Sequence, residues 1–574
     1  MEQINYIFPS SPYPEGIEWP GSPMGISNTI TRIKARTAIH DKTIDKEERK
    51  RDKLVTTAIN HLKNHPKERH YQHDVIIHGV RVRAHTNKDH LYDFWVDNWY
   101  SPEEWLELTG LQPPEKPRVE VYALGDVAGE LEAAYYSRET NTVIFFNTSY
   151  YGQLKSWVLG AVGRILAEEC GIHSLHAACV GKGQKGVLYI APTGSGKSTS
   201  SYGLMDYPGT RFHSDDWVYV RYTVQLKDGR RVCPVRILGS GVQEVQGYRV
   251  FRWLEEHQKD EHAVVSGIAL NDEKLTFSLR DVDLAQPLQA YAYTSEKVFY
   301  LRSNLVANFP RAAYEIIHSK FENCPDITPE FMYADRPHID EVVDDLLQHS
   351  EPKVRDYFIA MPRPLLAHLV ARMFVFDNAR TMLDIVRVFP KERCFTNPME
   401  PLKIDQVFLL KRQPSDHVIL SHLTPDTFIH RLMIGETPDG KREIAYNAYR
   451  AVDDQEEMAY VRELEKELAA RRAQEPNLTL YQLYQSKTDV PDTLYQEMEL
   501  FSTLYRTSHC YELNAVLQQD PQVRGRREAV LLTMRLLAQV IDHSPENLVL
   551  TLDNYRLYLE GVANAASRVS TLGL

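Results

Sequence analysis

Gly186-Val187-Leu188-Tyr189-Ile190-Ala191-Pro192-Thr193-Gly194-Ser195-Gly196-Lys197-Ser198-Thr199-Ser200-Ser201-Tyr202-Gly203-Leu204-Met205 carries the strongest structural signal in the chain. It opens with a short apolar run suited to a buried strand, passes through a glycine loop, and continues into residues that can start a helix. That order is the context a phosphate-binding loop requires. Gly194 and Gly196 let successive N–H groups converge on phosphate oxygens. The start of the helix adds the positive end of its dipole. Lys197 supplies a charge that follows a migrating phosphoryl group, and Ser198 offers a hydroxyl to Mg²⁺. The nucleotide-binding set is therefore Thr193, Gly194, Ser195, Gly196, Lys197, Ser198 and Thr199. Ala191 stands where the motif usually begins with Gly, a position that makes the entry turn, and Pro192 removes one N–H.

Working outward, an acidic pair follows in Arg211-Phe212-His213-Ser214-Asp215-Asp216-Trp217-Val218-Tyr219-Val220. Asp215 lies 18 positions after Lys197, enough for a short helix and a tight return. The run reads as a strand edge carrying two acids. Adjacent carboxylates in a strand point to opposite faces, so one can hold a metal while the other reaches an acceptor hydroxyl. Asp216, Ser198 and Asp215 are the candidate metal ligands. The alternative is an Asp pair that closes a turn. Before the loop, Ser174-Leu175-His176-Ala177-Ala178-Cys179-Val180 reads as a strand pairing with Gly186–Ile190. His176 in it is either a structural histidine or a catalytic one. His173 and His176 form His-x-x-His, but other zinc ligands are not near in sequence.

The chain has 574 residues, too many for one hydrophobic core, and a soluble globular composition of 43% hydrophobic and 25% charged residues. A formal net charge of −12 does not recommend nucleic acid as a ligand. The six cysteines are scattered without a Cys-x-x-Cys pair, which indicates neither a disulfide framework nor a zinc knuckle. The apolar helix candidate Trp157–Ala167 is interrupted by Arg164 and too short to span a bilayer. A cytoplasmic protein without membrane attachment is expected.

The sequence divides into an α+β N-terminal region at 1–150, the first part of the nucleotide-binding core at 151–240, a mainly helical insertion at 241–375, a second part of the core at 376–450, and a helical C-terminal region at 451–574. Strands are expected at Val75–Val82, Val119–Tyr122, Thr142–Phe146 and Gln406–Leu410. Helices are expected around Leu54, Ala58 and Leu62, at Pro310–Ser319, Ile339–His349 and Leu365–Val375, and at Asp453–Ala473 and Arg526–Ile541.

Together, Leu175-His176-Ala177-Ala178, Gly194-Ser195-Gly196-Lys197-Ser198-Thr199 and Ser214-Asp215-Asp216 resemble the kinase core shared by HPr kinase/phosphorylase and phosphoenolpyruvate carboxykinase. Asp215-Asp216-Trp217-Val218 looks more like the HPr kinase version. Downstream, Val407–Leu410, Leu423–Thr427, Ile434–Thr437 and Asn378-Ala379-Arg380 are similar to carboxykinase segments. The resemblance implies an α/β P-loop core with a mixed sheet, binding ATP, or GTP in its place, with Mg²⁺ or Mn²⁺. It implies Ser198 and Asp216 as metal ligands, and Asp215, His176 and Lys197 as catalytic residues. Against the carboxykinase pattern, His422 replaces an arginine, and the metal-binding lysine falls at Trp157, with Lys155 out of register. The expected activity is transfer of the γ-phosphoryl group to a hydroxyl of a protein serine or a small molecule. The competing readings are a carboxykinase-like enzyme on a small dicarboxylate, and a nucleotide-gated switch without transfer chemistry. A GTPase-type Asn-Lys-x-Asp does not follow the loop; Asn87-Lys88-Asp89 precedes it and lacks the spacing.

Overall fold

A computed structural model describes residues 25–30, 39–41, 44–64, 70–147, 151–191, 196–205, 207–238, 245–246, 250, 253, 257, 262–302, 306, 311–319, 321, 324, 326–334, 336–375, 379–434, 447–523 and 525–561. The architecture is mixed α/β with mixed sheets. The longest strand path runs Thr210–Ser214, Ala177–Lys182, Lys185–Ile190, Leu402–Lys411, Gln289–Thr294, Val218–Gln225, Arg231–Leu238, Val264–Ala269 and Lys274–Ser278. Lys185–Ile190 pairs in parallel with Leu402–Lys411, which pairs in parallel with His509–Asn514. Ala177–Lys182 is antiparallel to both of its neighbours. The carboxyl ends of Lys185–Ile190, Thr210–Ser214 and Leu402–Lys411 therefore share one edge with the amino end of Ala177–Lys182. In α/β sheets that edge is where ligands bind.

Side-chain alternation builds a core on each face. Leu188, Ile190, Val407 and Leu409 pack in one cluster with Phe428, Leu432, Leu464, Leu494 and Phe501 from the helices Pro425–Ile434, Gln455–Arg471 and Asp492–Thr507. Val187, Tyr189, Phe408 and Leu410 pack on the other face with Leu204, Met534, Leu537 and Ile541. At about 1.5–3 kcal/mol for each fully buried side chain of this size, the two faces dominate the stability of the sheet.

A second sheet, in the order Ile39–Asp41, Ala133–Ser137, Thr142–Phe146, Val119–Leu124, Val80–Thr86 and Tyr71–Ile77, forms the N-terminal region. The helix Tyr151–Cys170 joins it to the larger sheet: Leu154, Trp157, Val158, Ala161 and Ile165 share a cluster with Phe145, Trp95, Trp217 and Tyr219. Polar locks hold this helix. Arg164, the residue that interrupts its apolar run, donates to Glu457 at 2.9 Å and Thr493 at 3.1 Å. Next to it Arg450 and Tyr449 both bond Glu497, at 2.6 and 2.7 Å. Gly160 faces the 448–452 turn so closely that a Cβ would lie 2.8 Å from the Ala448 carbonyl oxygen. Among the described residues no helix is long and apolar enough to cross a membrane.

The structure differs from the sequence-based expectations in four places. Val75–Val82 is not one strand but the waist of a hairpin, turned at His78 (φ 46°) and Gly79 (φ 81°). Val75, Ile76 and Ile77 are all buried up to the turn and Val80–Thr86 alternates after it, so apolar residues on both sides mask it. Arg211–Val220 is two strands with a corner at Asp215-Asp216, not a continuous strand presenting the acids on opposite faces. The 241–375 region is helical from Arg311 onward, but Val264–Ala269, Lys274–Ser278 and Gln289–Thr294 are strands of the large sheet. Each of these runs is only five or six residues long, so even the alternation of Lys274–Ser278 is a weak signal beside the helical stretches that follow. Finally, the helical C-terminal region contributes His509–Asn514 and Val549–Thr551 to the same sheet.

Two predictions follow from this packing. A Cβ at Gly186 would lie 2.1 Å from the Lys403 carbonyl oxygen in the neighbouring parallel strand. Backbone cannot yield there, so Gly186→Ala is expected to cost about 3 kcal/mol in denaturant unfolding. His173 is fully buried, and burial pushes its pKa down to about 4, with the Gln496 hydrogen bond opposing. An unfolded chain takes up that proton near pH 6.5 while the folded one does not. Stability should thus be intact above pH 6.5 and fall towards pH 4, by at most about 1.4 kcal/mol per pH unit for this group. Unfolding of the wild type and of His173→Gln across that range measures the slope, which the substitution should reduce.

Candidate functional site

Each element delivers its residue to the sheet edge for a local reason. After Ile190 the chain leaves the sheet, and Gly196 takes φ 100°, a conformation glycine adopts without steric cost. The Gly196 carbonyl accepts the Ser200 amide at 2.9 Å, which starts the helix Lys197–Leu204. Lys197, Ser198 and Thr199 therefore sit in its first turn, at the positive end of the dipole. Thr193, Gly194 and Ser195 lie outside the described residues.

The chain returns along Thr210–Ser214 and turns a corner at Asp215-Asp216 before entering Val218–Gln225. The Asp216 carbonyl pins that corner by accepting the Ala177 amide at 3.0 Å. His176 occupies the junction between His173–Leu175, which pairs with Val218–Val220, and Ala177–Lys182, which pairs with Lys185–Ile190. It thus bridges two parts of the sheet, rather than lying inside one strand.

The side chains converge on a single carboxylate. Asp216 Oδ1 lies 3.1 Å from Lys197 Nζ and 3.1 Å from His176 Nε2, and Oδ2 lies 2.7 Å from Lys155 Nζ. Lys197 Nζ also approaches the Asp216 carbonyl at 3.4 Å. The His176 ring packs on Trp217 with centroids 5.0 Å apart. Asp215 is 2% exposed and close enough to Lys197 to act on its charge.

Burial alone would raise the Asp216 pKa, but the charges of Lys155 and Lys197, with the His176 hydrogen bond, outweigh it and hold the carboxyl well below the usual range. Burial lowers the Lys197 pKa, and Asp216 and Asp215 oppose that shift. Glu296 also reaches Lys155, at 2.6 Å. Burial raises its pKa to about 7, with Lys155 acting in the opposite direction. The ionised Asp216 carboxylate and its ammonium partners thus sit side by side with Glu296 in a largely buried corner, where a charge is costly without its partner.

The structure brings Lys197, His176, Asp216 and Asp215 together from three separate segments. Sequence reasoning missed two further members, Lys155 and Glu296. Lys155 was discounted because it falls two positions before Trp157, yet in the helix Tyr151–Cys170 it points at the acid pair while Trp157 packs in the apolar cluster. A lone lysine beside an apolar helical run was the available signal. Glu296 follows the strand Gln289–Thr294 in an unremarkable Thr-Ser-Glu-Lys turn and carried none. Of the more distant carboxykinase-like segments, His422 stands three strands away from Lys185–Ile190 across the sheet. Ala379–Asp384 belongs to a separate three-stranded sheet with Gly25–Ile30 and Val298–Arg302. Asn378 and Gly435–Thr437 lie outside the described residues.

Among the described residues, no group of three or more His, Cys, Asp and Glu side chains is arranged to hold a metal. Asp216 and His176 nonetheless offer an oxygen and a nitrogen donor at one point. The carboxylate oxygen suits a hard cation such as Mg²⁺ or Mn²⁺, which takes oxygen ligands, whereas the imidazole nitrogen is a softer donor outside the usual Mg²⁺ shell. No protein-family model matches the chain, and no curated protein is significantly similar to it.

Removing the charge of Lys155 leaves Glu296 buried beside Asp216 without its ammonium. Lys155→Met is therefore expected to cost about 3–5 kcal/mol in unfolding free energy. The deficit should be largest well above pH 7, where Glu296 is ionised in both proteins, shrink as pH falls towards 7, and stay level below it, where both carry the proton; a deficit independent of pH above 7 would contradict the assignment.

Proposed function

We propose that the chain is a Mg²⁺-dependent phosphotransferase, built on the P-loop core that HPr kinase/phosphorylase and phosphoenolpyruvate carboxykinase share, and that it transfers the γ-phosphoryl group of ATP to a hydroxyl. The observation that carries this reading is the meeting of the loop lysine with the acid corner: Lys197 Nζ lies 3.1 Å from Asp216, with Asp215 and His176 adjacent. A structural glycine turn gives no reason for a buried lysine, a histidine and two aspartates to gather at its mouth.

In this mechanism the loop amides and Lys197 neutralise the β- and γ-phosphate oxygens. Asp216 and Ser198, with His176 beside them, would hold Mg²⁺, which when bound would supply the remaining positive charge. Asp215 takes the proton from the acceptor hydroxyl as its oxygen bonds to the γ-phosphorus and the bond to the leaving ADP breaks. Little else is asked of the protein, because positioning and charge neutralisation dominate phosphoryl transfer.

A second reading, a carboxykinase-like enzyme acting on a small dicarboxylate, gains from one observation. Lys155 reaches Asp216 at 2.7 Å, so a lysine does accompany the histidine and aspartate, although two positions from where the resemblance puts it. Both readings use the same nucleotide end of the site and differ in the acceptor.

Incubation of the pure protein with γ-labelled ATP, Mg²⁺ and a metabolite extract distinguishes them. The first reading expects a labelled phosphate ester, whereas a dicarboxylate consumed with release of CO₂ supports the second. Binding without any labelled product would leave only a nucleotide-gated switch. Lys197→Ala and Asp215→Asn are each expected to lower transfer by about 10²-fold or more. Near-normal turnover by Asp215→Asn would remove Asp215 as the base.

A further inference from the structure

Lys155 Nζ lies between two carboxylates, 2.7 Å from Asp216 Oδ2 and 2.6 Å from Glu296 Oε2. Lys155 is 3% exposed and Glu296 1%. Glu296 belongs to the turn between Gln289–Thr294 and Val298–Arg302, and that turn is firmly anchored. The Thr294 hydroxyl donates to the Glu296 carbonyl at 3.0 Å, and the Ser295 hydroxyl donates to the Trp217 carbonyl at 3.0 Å. Lys297 bonds the Glu104 carboxylate at 2.8 Å. Trp217 is the residue on which His176 packs. The acid is thus presented to Lys155 from rigid surroundings.

A metal-dependent nucleotide site makes a demand on this arrangement. Asp216 must give a carboxylate oxygen to a dication, yet it already faces an ammonium from Lys155. With Asp216 as its sole counter-charge, Lys155 would compete with the cation for that oxygen. With a second, fixed carboxylate beside it, Lys155 can stay in place while Asp216 turns to the metal.

We propose that Glu296 is a positioning residue that holds Lys155 by its ammonium, so that Asp216 is released to bind a divalent cation. The proposal rests on the reading of this site as a metal–nucleotide centre. Glu296 touches neither nucleotide nor metal and acts through Lys155.

The test uses the full chain, Mn²⁺ as the probe cation detected by the paramagnetic resonance of its free form, and calorimetric ATP titration in the presence of a chelator. Glu296→Gln keeps the size of the side chain and an acceptor oxygen but loses the charge. It is expected to weaken Mn²⁺ binding by about tenfold or more, while metal-free ATP binding changes by less than about twofold. Glu296→Asp, which restores the charge at a shorter reach, should recover part of the Mn²⁺ affinity. In a Lys155→Met background the Glu296→Gln change should add less than about twofold, because its effect is routed through the lysine. Unchanged Mn²⁺ affinity in both Glu296 variants overturns the proposal, as does an undiminished loss in the Lys155→Met background. If the wild type takes up neither Mn²⁺ nor ATP, the phosphotransferase reading fails and this inference with it. If the wild type takes up both and the variants match it, this inference alone fails.

Discussion

The Asp216 carboxylate accepts two ammonium groups and an imidazole, from the helix Tyr151–Cys170, the start of the helix Lys197–Leu204 and a strand junction. None of those groups can be buried alone without a cost of several kcal/mol, so the three segments are held to one another through this acid. The corner at Asp215-Asp216 exists because the chain must leave one part of the sheet and enter another there. The Asp216 carbonyl, bonded to the Ala177 amide, fixes where it does so. Main chain and side chain of the same residue thus tie together the strands on either side of the loop.

The sheet supplies the frame on which this charge cluster is assembled. Parallel pairing of Lys185–Ile190 with Leu402–Lys411 and the antiparallel hairpin Ala177–Lys182/Lys185–Ile190 bring Lys197, the acid corner and His176 to one edge. Hydrophobic layers on both faces leave that edge as the place where polar groups can meet a ligand. The helix Tyr151–Cys170, apolar along most of its length and pinned by Arg164 to Glu457, carries Lys155 into the same corner from the N-terminal side. Stability and the candidate chemistry therefore rest on shared elements, and a change such as Gly160→Ala, which shifts this helix, reaches the site without touching it.

Much of the fold was legible along the chain because local patterns carry it. The apolar run before the loop, the glycines, and the periodic helices of the C-terminal half formed close to where the residues placed them, for example Gln455–Arg471 and Gly525–His543. The strands between 264 and 294 are hard to read along the chain because each is only five or six residues long: Lys274–Ser278 alternates polar and apolar residues, but so short a run carries little weight until it pairs with Val264–Ala269. The His78-Gly79 turn is masked because apolar residues run up to it at Val75–Ile77 and resume directly after it at Val80.

For the site, the sequence by itself singled out Lys197, the acid pair and His176, and the structure brings those four residues together; their spacing reflects covalent reach and backbone conformation. Which carboxylate would become the hub, and that Lys155 and Glu296 would join it, was decided only in three dimensions. Lys155 lies 61 positions from Asp216 in the chain, and what brings them together is the packing of an apolar helix against two sheets. Ion pairs between distant segments leave no periodic trace in a sequence, because their energy depends on burial and distance, which the tertiary structure alone supplies.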